Sequence, residues 1–218
     1  MKSEKEMAQD EKSKQKALLK KRRKDNERKK KSNALTIFGL DSYSYKRGLI
    51  KRAEQFPIYE CLLNQDWQNK GLAHILLSRK QPNNEFIIGV FLVDIYCLGL
   101  KNTFCNANIP LENYEKLKLR MAEESSLITC DPVLANRIVY GAIDYARKLG
   151  FEPQKDFRLS RFTLGEPSDA NVPYSIEFGK DGKPLYIAGP NDDADRVVER
   201  LSKTVGDGNF HYLLPGNV

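Results

Sequence analysis

The chain has little of the chemistry that usually marks a catalytic or metal centre. Two histidines, His74 and His211, and four cysteines, Cys61, Cys97, Cys105 and Cys130, are spread over 218 residues without a Cys-x-x-Cys pair. No tetrahedral zinc site is therefore expected. Glycine-rich phosphate cradles are missing as well. Gly179-x-x-Gly182 reads as a turn, and Gly189-Pro190-Asn191-Asp192-Asp193 opens a helix with acids that repel phosphate and stabilise the helix dipole instead. The same loop lacks the spaced oxygen ligands of a calcium site. The longest apolar run, Phe86 to Val93, is stopped by Asp94, far short of the roughly 18 residues a membrane-spanning helix needs. No apolar segment follows the charged start as a secretory leader requires. These absences predict no membrane contact, no cofactor, and a reducing cytoplasm in which the cysteines act as small apolar side chains.

What the chain does have is positive charge in one place. Residues 1–33 contain fourteen Lys or Arg and six Asp or Glu, a net of +8, whereas the remaining 22 basic and 23 acidic residues sum to −1. Neither Gly nor Pro interrupts this arm, so its composition is compatible with a helix. Its apolar residues, Met1, Met7, Ala8, Ala17, Leu18 and Leu19, are too few for a core-facing stripe. A solvated helix or a disordered segment is the expectation. Lys20, Lys21, Arg22, Arg23, Lys24, Arg28, Lys29, Lys30 and Lys31 are the candidate nucleic-acid contacts, because such a density of cations neutralises phosphates without demanding geometry. The arm has no aromatic side chain for base stacking.

From Ala34 the composition changes, and residues 34–218 read as one domain, large enough for a core. A short helix is expected around Tyr45 to Gln55, ended by Pro57, and strands over Ile58–Leu63 and Leu72–Ser78. Lys80-Gln81-Pro82-Asn83-Asn84 supplies a hairpin turn. Phe86 to Leu98 is apolar on both alternating sets, as in a central strand covered on both faces, after which residues 98–102 should leave the sheet. Leu111–Glu124 has helical spacing. Asp131, Pro132 and Gly150 punctuate a third helix with apolar residues at Ala135, Ile138, Ala142, Tyr145 and Leu149. A hairpin of Tyr174–Phe178 with Leu185–Ala188, a last helix after Asp193 and an edge strand over Phe210–Leu214 complete an α+β domain. Its sheet is expected to be mainly antiparallel or mixed and covered by helices.

Two stretches, Phe91-Leu92-Val93-Asp94-Ile95-Tyr96-Cys97-Leu98-Gly99-Leu100-Lys101 and Tyr140-Gly141-Ala142-x-x-Tyr145-Ala146-x-x-Leu149-Gly150-Phe151-x-Pro153, resemble those of a group of bacterial proteins of unassigned function. In that group a similar body also ends with a hairpin like Phe178-Gly179-x-x-Gly182-x-Pro184. The resemblance implies a single domain and a bacterial origin, and brings no activity with it.

Asp94 is the residue most suggestive of chemistry, since a carboxylate inside an apolar strand must be paired, hydrogen-bonded or neutralised. Arg79 and Lys101 are its candidate partners along the chain. As a metal ligand or general base of a phosphodiester-cleaving site it would need companions, for which Glu123, Glu124 and Asp131 are available. The structural alternative, preferred, is a buried Asp94 accepting hydrogen bonds from the loop at Gly99 to Asn102. Cys97 and Cys105 flank Lys101, but packing is the expected role of both, as of His74. Lys46-Arg47 and Lys51-Arg52 read either as a continuation of the basic surface or as a charged helix face, and Arg158 and Arg161, alternating with Phe157 and Phe162, either as a second contact patch or as one strand with a solvated side.

Three functions follow. The first is an accessory protein whose arm binds RNA or a ribonucleoprotein more readily than DNA, while the body positions or binds a protein. The second is a metal-dependent hydrolase or nuclease whose catalytic residues would be Asp94, Lys101 and Arg79. The third is an interaction protein for an acidic partner.

Overall fold

A computed structural model describes residues 42–168, 175–190 and 192–214, with side chains from Ser44 onward. The basic arm, its nine candidate phosphate contacts and the expected domain start at Ala34 lie outside the described residues.

The chain enters through helix α1 (Ser42–Lys51) and a 3₁₀ turn (Ala53–Gln55), then runs β1 (Ile58–Asn64), the single-turn α2 (Trp67–Lys70), β2 (Leu72–Lys80), β3 (Phe86–Asp94) and β4 (Gly99–Ile109). Helix α3 (Leu111–Glu124), β5 (Leu127–Thr129), α4 (Pro132–Lys148) and α5 (Phe157–Leu164) follow. The last elements are β6 (Leu185–Ile187), α6 (Ala194–Val205) and β7 (His211–Leu213). Five strands form an antiparallel sheet in the order β4-β3-β2-β1-β5. The fold is α+β, as the sequence predicts.

The two-residue period of the strands divides this sheet into two covered faces. Cys61, Leu63, Ile75, Leu77, Phe91 and Val93 point to one side, where Leu134, Ala135, Ile138, Ala142 and Ile143 of α4 and Leu164 of α5 close over them. Leu62, Leu76, Phe86 and Ile88 point to the other, against Tyr114, Leu117 and Met121 of α3. Strand β3 is thus buried on both faces, which its unbroken apolar run demands. The punctuation of α4 also forms as read: Asp131 Oδ1 accepts from the Val133 amide at 2.8 Å, and Gly150 takes φ +85° beyond the helix end.

Three expectations are corrected. Strand β3 stops at Asp94, and residues 99–109 do not leave the sheet but return as β4, paired along β3 from Asp94↔Gly99 to Phe86↔Ile109. The apolar run continues past the strand because the turn itself is buried. Residues 157–164 are helical, so Phe157 and Phe162 do not alternate with Arg158 and Arg161 on a strand. The C-terminal hairpin fails too. Its turn forms, with Lys180 bridged to Lys183 around Asp181 and Gly182 at positive φ, yet residues 175–178 make no strand, and Tyr174 lies outside the described residues. The reason is competition for backbone groups. The Gly179 amide donates to Ile95 O at 3.0 Å and the Leu185 amide to Tyr96 O at 3.2 Å, so the segments flanking the turn are tied to the β3–β4 turn. Strand β6 pairs instead with β7, in parallel, across the α6 crossover.

Candidate functional site

The β3–β4 turn organises the end of the sheet, and Asp94 organises the turn. Asp94 Oδ1 accepts the backbone amides of Tyr96 and Cys97, both at 2.9 Å, with the Leu98 amide also assisting the carboxylate. Burial raises the Asp94 pKa, while these amides and the nearby Lys101 ammonium oppose the rise. Gly99 then turns the chain at φ +68°; a Cβ there would sit 2.7 Å from Ala146 Cβ and 2.8 Å from Ala142 O, so the turn lies directly on α4. The Tyr96 ring covers Gly71, where a Cβ would meet it at 2.1 Å, and its hydroxyl donates to Gln68 O at 2.6 Å.

Beside this turn Lys101, on β4, meets Asp192, which precedes α6: Nζ to Oδ2 is 2.8 Å, and the two side chains are 19% and 15% exposed. Asp192 Oδ2 also accepts the Gly189 amide at 2.9 Å and lies 3.5 Å from the Tyr186 hydroxyl. Burial acts to raise this carboxyl, but the Lys101 and Gly189 hydrogen bonds outweigh it and hold the group below the usual carboxylate range. Asp193, one residue on, performs the helix capping by accepting from the Arg196 amide.

The Lys101–Asp192 pair is the common wall of two cavities. One, of about 520 Å³, is lined by Asp94, Tyr96, Lys101, Asn102, Gly189 and Asp192 among others. The other, of about 460 Å³, is lined by Phe151, Gln154, Arg196 and Arg200 together with the same pair. The first offers carboxylate, ammonium, amide and aromatic groups on a partly apolar lining, a composition suited to holding a small polar molecule.

The three candidate catalytic residues are not assembled as a set. Lys101 and Asp94 face one cavity. Arg79 pairs with Ile58 and Ile87 at the far end of β2, whereas Leu72 pairs with Asp94. Seven residues of strand separate the two ends, about 23 Å. Arg79 gives its Nε to Thr163 O at 2.8 Å and its Nη1 to Phe56 O at 2.9 Å. The proposed acidic companions are dispersed as well: Asp131 caps α4, and Glu124 lies 3.8 Å from His74 Nδ1. Among the described residues no group of three or more His, Cys, Asp or Glu is placed to hold a metal ion. Cys97 is buried with its pKa raised by burial, and Cys105 is pushed up to about 11 for the same reason. His74 is shifted down by burial.

Tyr96, Asn102, Tyr186, Gly189 and Asp192 escaped the sequence reading as site residues. One signal was available: two consecutive acids, Asp192 and Asp193, precede a helix that one acid suffices to cap. No helix among the described residues is long and apolar enough to cross a membrane.

Fold and site together define an α+β protein with a cavity of mixed polar and apolar lining at the turn end of its sheet. Neither protein-family models, nor curated proteins, nor solved structures give a match to this chain.

Proposed function

We propose that this chain is an accessory nucleic-acid-associated protein whose basic arm contacts the phosphate backbone of RNA or a ribonucleoprotein, while the body acts as a protein-binding or positioning module. The observation that carries this reading is the division of charge, +8 over residues 1–33 against −1 over the rest. Phosphate neutralisation by a cationic segment gives strong, salt-dependent affinity without base readout. Two features of the body agree with a contact role. Arg196, Arg200 and Lys203 are exposed at helical spacing along one face of α6. Ile187 and Leu213, paired across the small parallel sheet, remain 44% and 46% exposed, neighbouring apolar side chains of the kind that partners cover.

The test is a salt titration of RNA and DNA binding by the full chain and by a variant carrying Lys20→Gln, Lys21→Gln, Arg22→Gln, Arg23→Gln and Lys24→Gln. The slope of log affinity against log salt should fall by about 0.7 to 0.9 for each phosphate contact removed. Unchanged affinity and slope would end the proposal. A partner that stays bound after nuclease treatment, and is lost with the arm substitutions, would identify an acidic protein as the ligand instead.

A further inference from the structure

Cys61 lies in β1, and Cys130 directly follows the edge strand β5. The antiparallel pairing of Leu63 with Ile128 and Leu62 with Thr129 sets Cys61 opposite Cys130 one step further, and the Cys130 amide donates to Cys61 O at 2.9 Å. The two sulfurs are 3.3 Å apart and share a hydrogen bond. Directly opposed residues of antiparallel strands have Cα atoms about 4.5–5.5 Å apart, inside the span of about 4.4–6.8 Å that a disulfide bridges. Their environments differ: Cys61 is buried in the core under α4, and Cys130 is half-buried at its margin. Cys97 and Cys105 are free thiols on other parts of the fold, without a comparable sulfur contact among the described residues.

We propose that Cys61 and Cys130 are a reversible dithiol–disulfide pair, oxidised by exchange with a low-molecular-weight disulfide. The Cys130 thiolate attacks one sulfur of that disulfide, forming a mixed disulfide and releasing one small thiolate. Cys61 then loses its proton and attacks Cys130 Sγ, forming the internal bond and expelling the second small thiolate. The protein gives up two electrons, the external disulfide accepts them, and protonation yields two small thiols. The division of labour has a physical basis. Cys130 is half-buried at the margin of the core, whereas Cys61 lies in the core under α4, where burial pushes its thiol up. The more accessible sulfur is therefore the first nucleophile, and the buried one resolves the adduct. The bond would join residues 69 positions apart and tie the edge strand to its neighbour immediately before the cap of α4.

The full chain is equilibrated in mixtures of reduced and oxidised glutathione, quenched in acid, alkylated and mapped by peptide mass spectrometry. Alkylatable thiols should fall from the four of the sequence to two, with one cross-link, Cys61 to Cys130, reversed by dithiothreitol. Cys61→Ser should stop at a single glutathione carried on Cys130, and Cys130→Ser should leave Cys61 unmodified. Four alkylated thiols across the whole redox range, a cross-link that uses Cys97 or Cys105, or glutathione persisting on Cys130 while Cys61 is present would each overturn the proposal. The wild-type map needs no substitution, so the outcome does not depend on a variant folding.

Discussion

The two ends of strand β2 meet the same difficulty with opposite charges. At the Leu72 end the Asp94 carboxylate is buried, and at the other the Arg79 guanidinium is buried, each residue only 7% exposed. They are too far apart to neutralise one another. Asp94 is held by the peptide N–H groups of its own turn, and Arg79 by the carbonyls of Phe56 and Thr163, which belong to segments before β1 and at the end of α5. The difference lies in what each charge joins. Asp94 closes a local turn, whereas Arg79 links segments far apart in the chain. A buried charge satisfied by backbone dipoles can serve as a fastener, and its reach decides how much structure depends on it.

Removing the long-range fastener should have the larger effect. Arg79→Met keeps the apolar stem and leaves two buried carbonyls without donors, and we expect a loss of about 3 kcal/mol in urea-induced unfolding. A loss below that of Asp94→Ala would reverse the ranking of the two ends. Asp94→Ala strands the turn amides and should cost about 2 kcal/mol.

Asp94→Asn separates charge from acceptor, because the side-chain oxygen remains. The folded pKa of Asp94 is raised, so the native state holds its proton more tightly than the unfolded chain does. That contribution is present below the ordinary carboxylate pKa and is lost as pH rises through the raised folded value. The substituted amide cannot titrate, so the variant should gain on the wild type over that window, with its net cost at neutral pH within about 1 kcal/mol. A stability difference flat across the acid range would mean that desolvation does not govern this carboxylate.

An effect of similar size is expected at the neighbouring pair. Asp192 has a depressed folded pKa, so the Lys101–Asp192 interaction stabilises above the ordinary carboxylate pKa and is lost as pH falls through the folded value. Lys101→Met should cost about 1 kcal/mol at neutral pH, and the variant and wild-type curves should converge in acid. Thermal melts across pH would expose a divergence instead, which would assign Asp192 to another partner.

Much of the scaffold is legible in local chemistry. The β2–β3 turn, the limits of α3, and the Asp131-Pro132 start and Gly150 stop of α4 follow from capping, turn propensity and side-chain period, all of which act within a few residues. The site is less legible because its decisive contacts are not local. Asp94 stands out as a carboxylate in an apolar run, yet the donors expected at Gly99 to Asn102 are instead the Tyr96 and Cys97 amides of its own turn. Residues 95–98 read as strand because they are apolar, and they are apolar because the turn is buried beneath the C-terminal segments. Asp192 reads as a helix-opening acid, yet Asp193 takes that role and Asp192 crosses 91 positions to Lys101.

The amino-acid sequence by itself determined the α+β composition, the double-faced burial of β3 and the concentration of positive charge in the first 33 residues. Composition and short-range periodicity are enough for each of these. Only the tertiary structure decided that β4 returns along β3, that β6 pairs in parallel with β7, and that Lys101 meets Asp192 and Cys61 meets Cys130. Each of those depends on which distant segment captures a given backbone group or side chain, and that competition is settled only when the whole chain is packed.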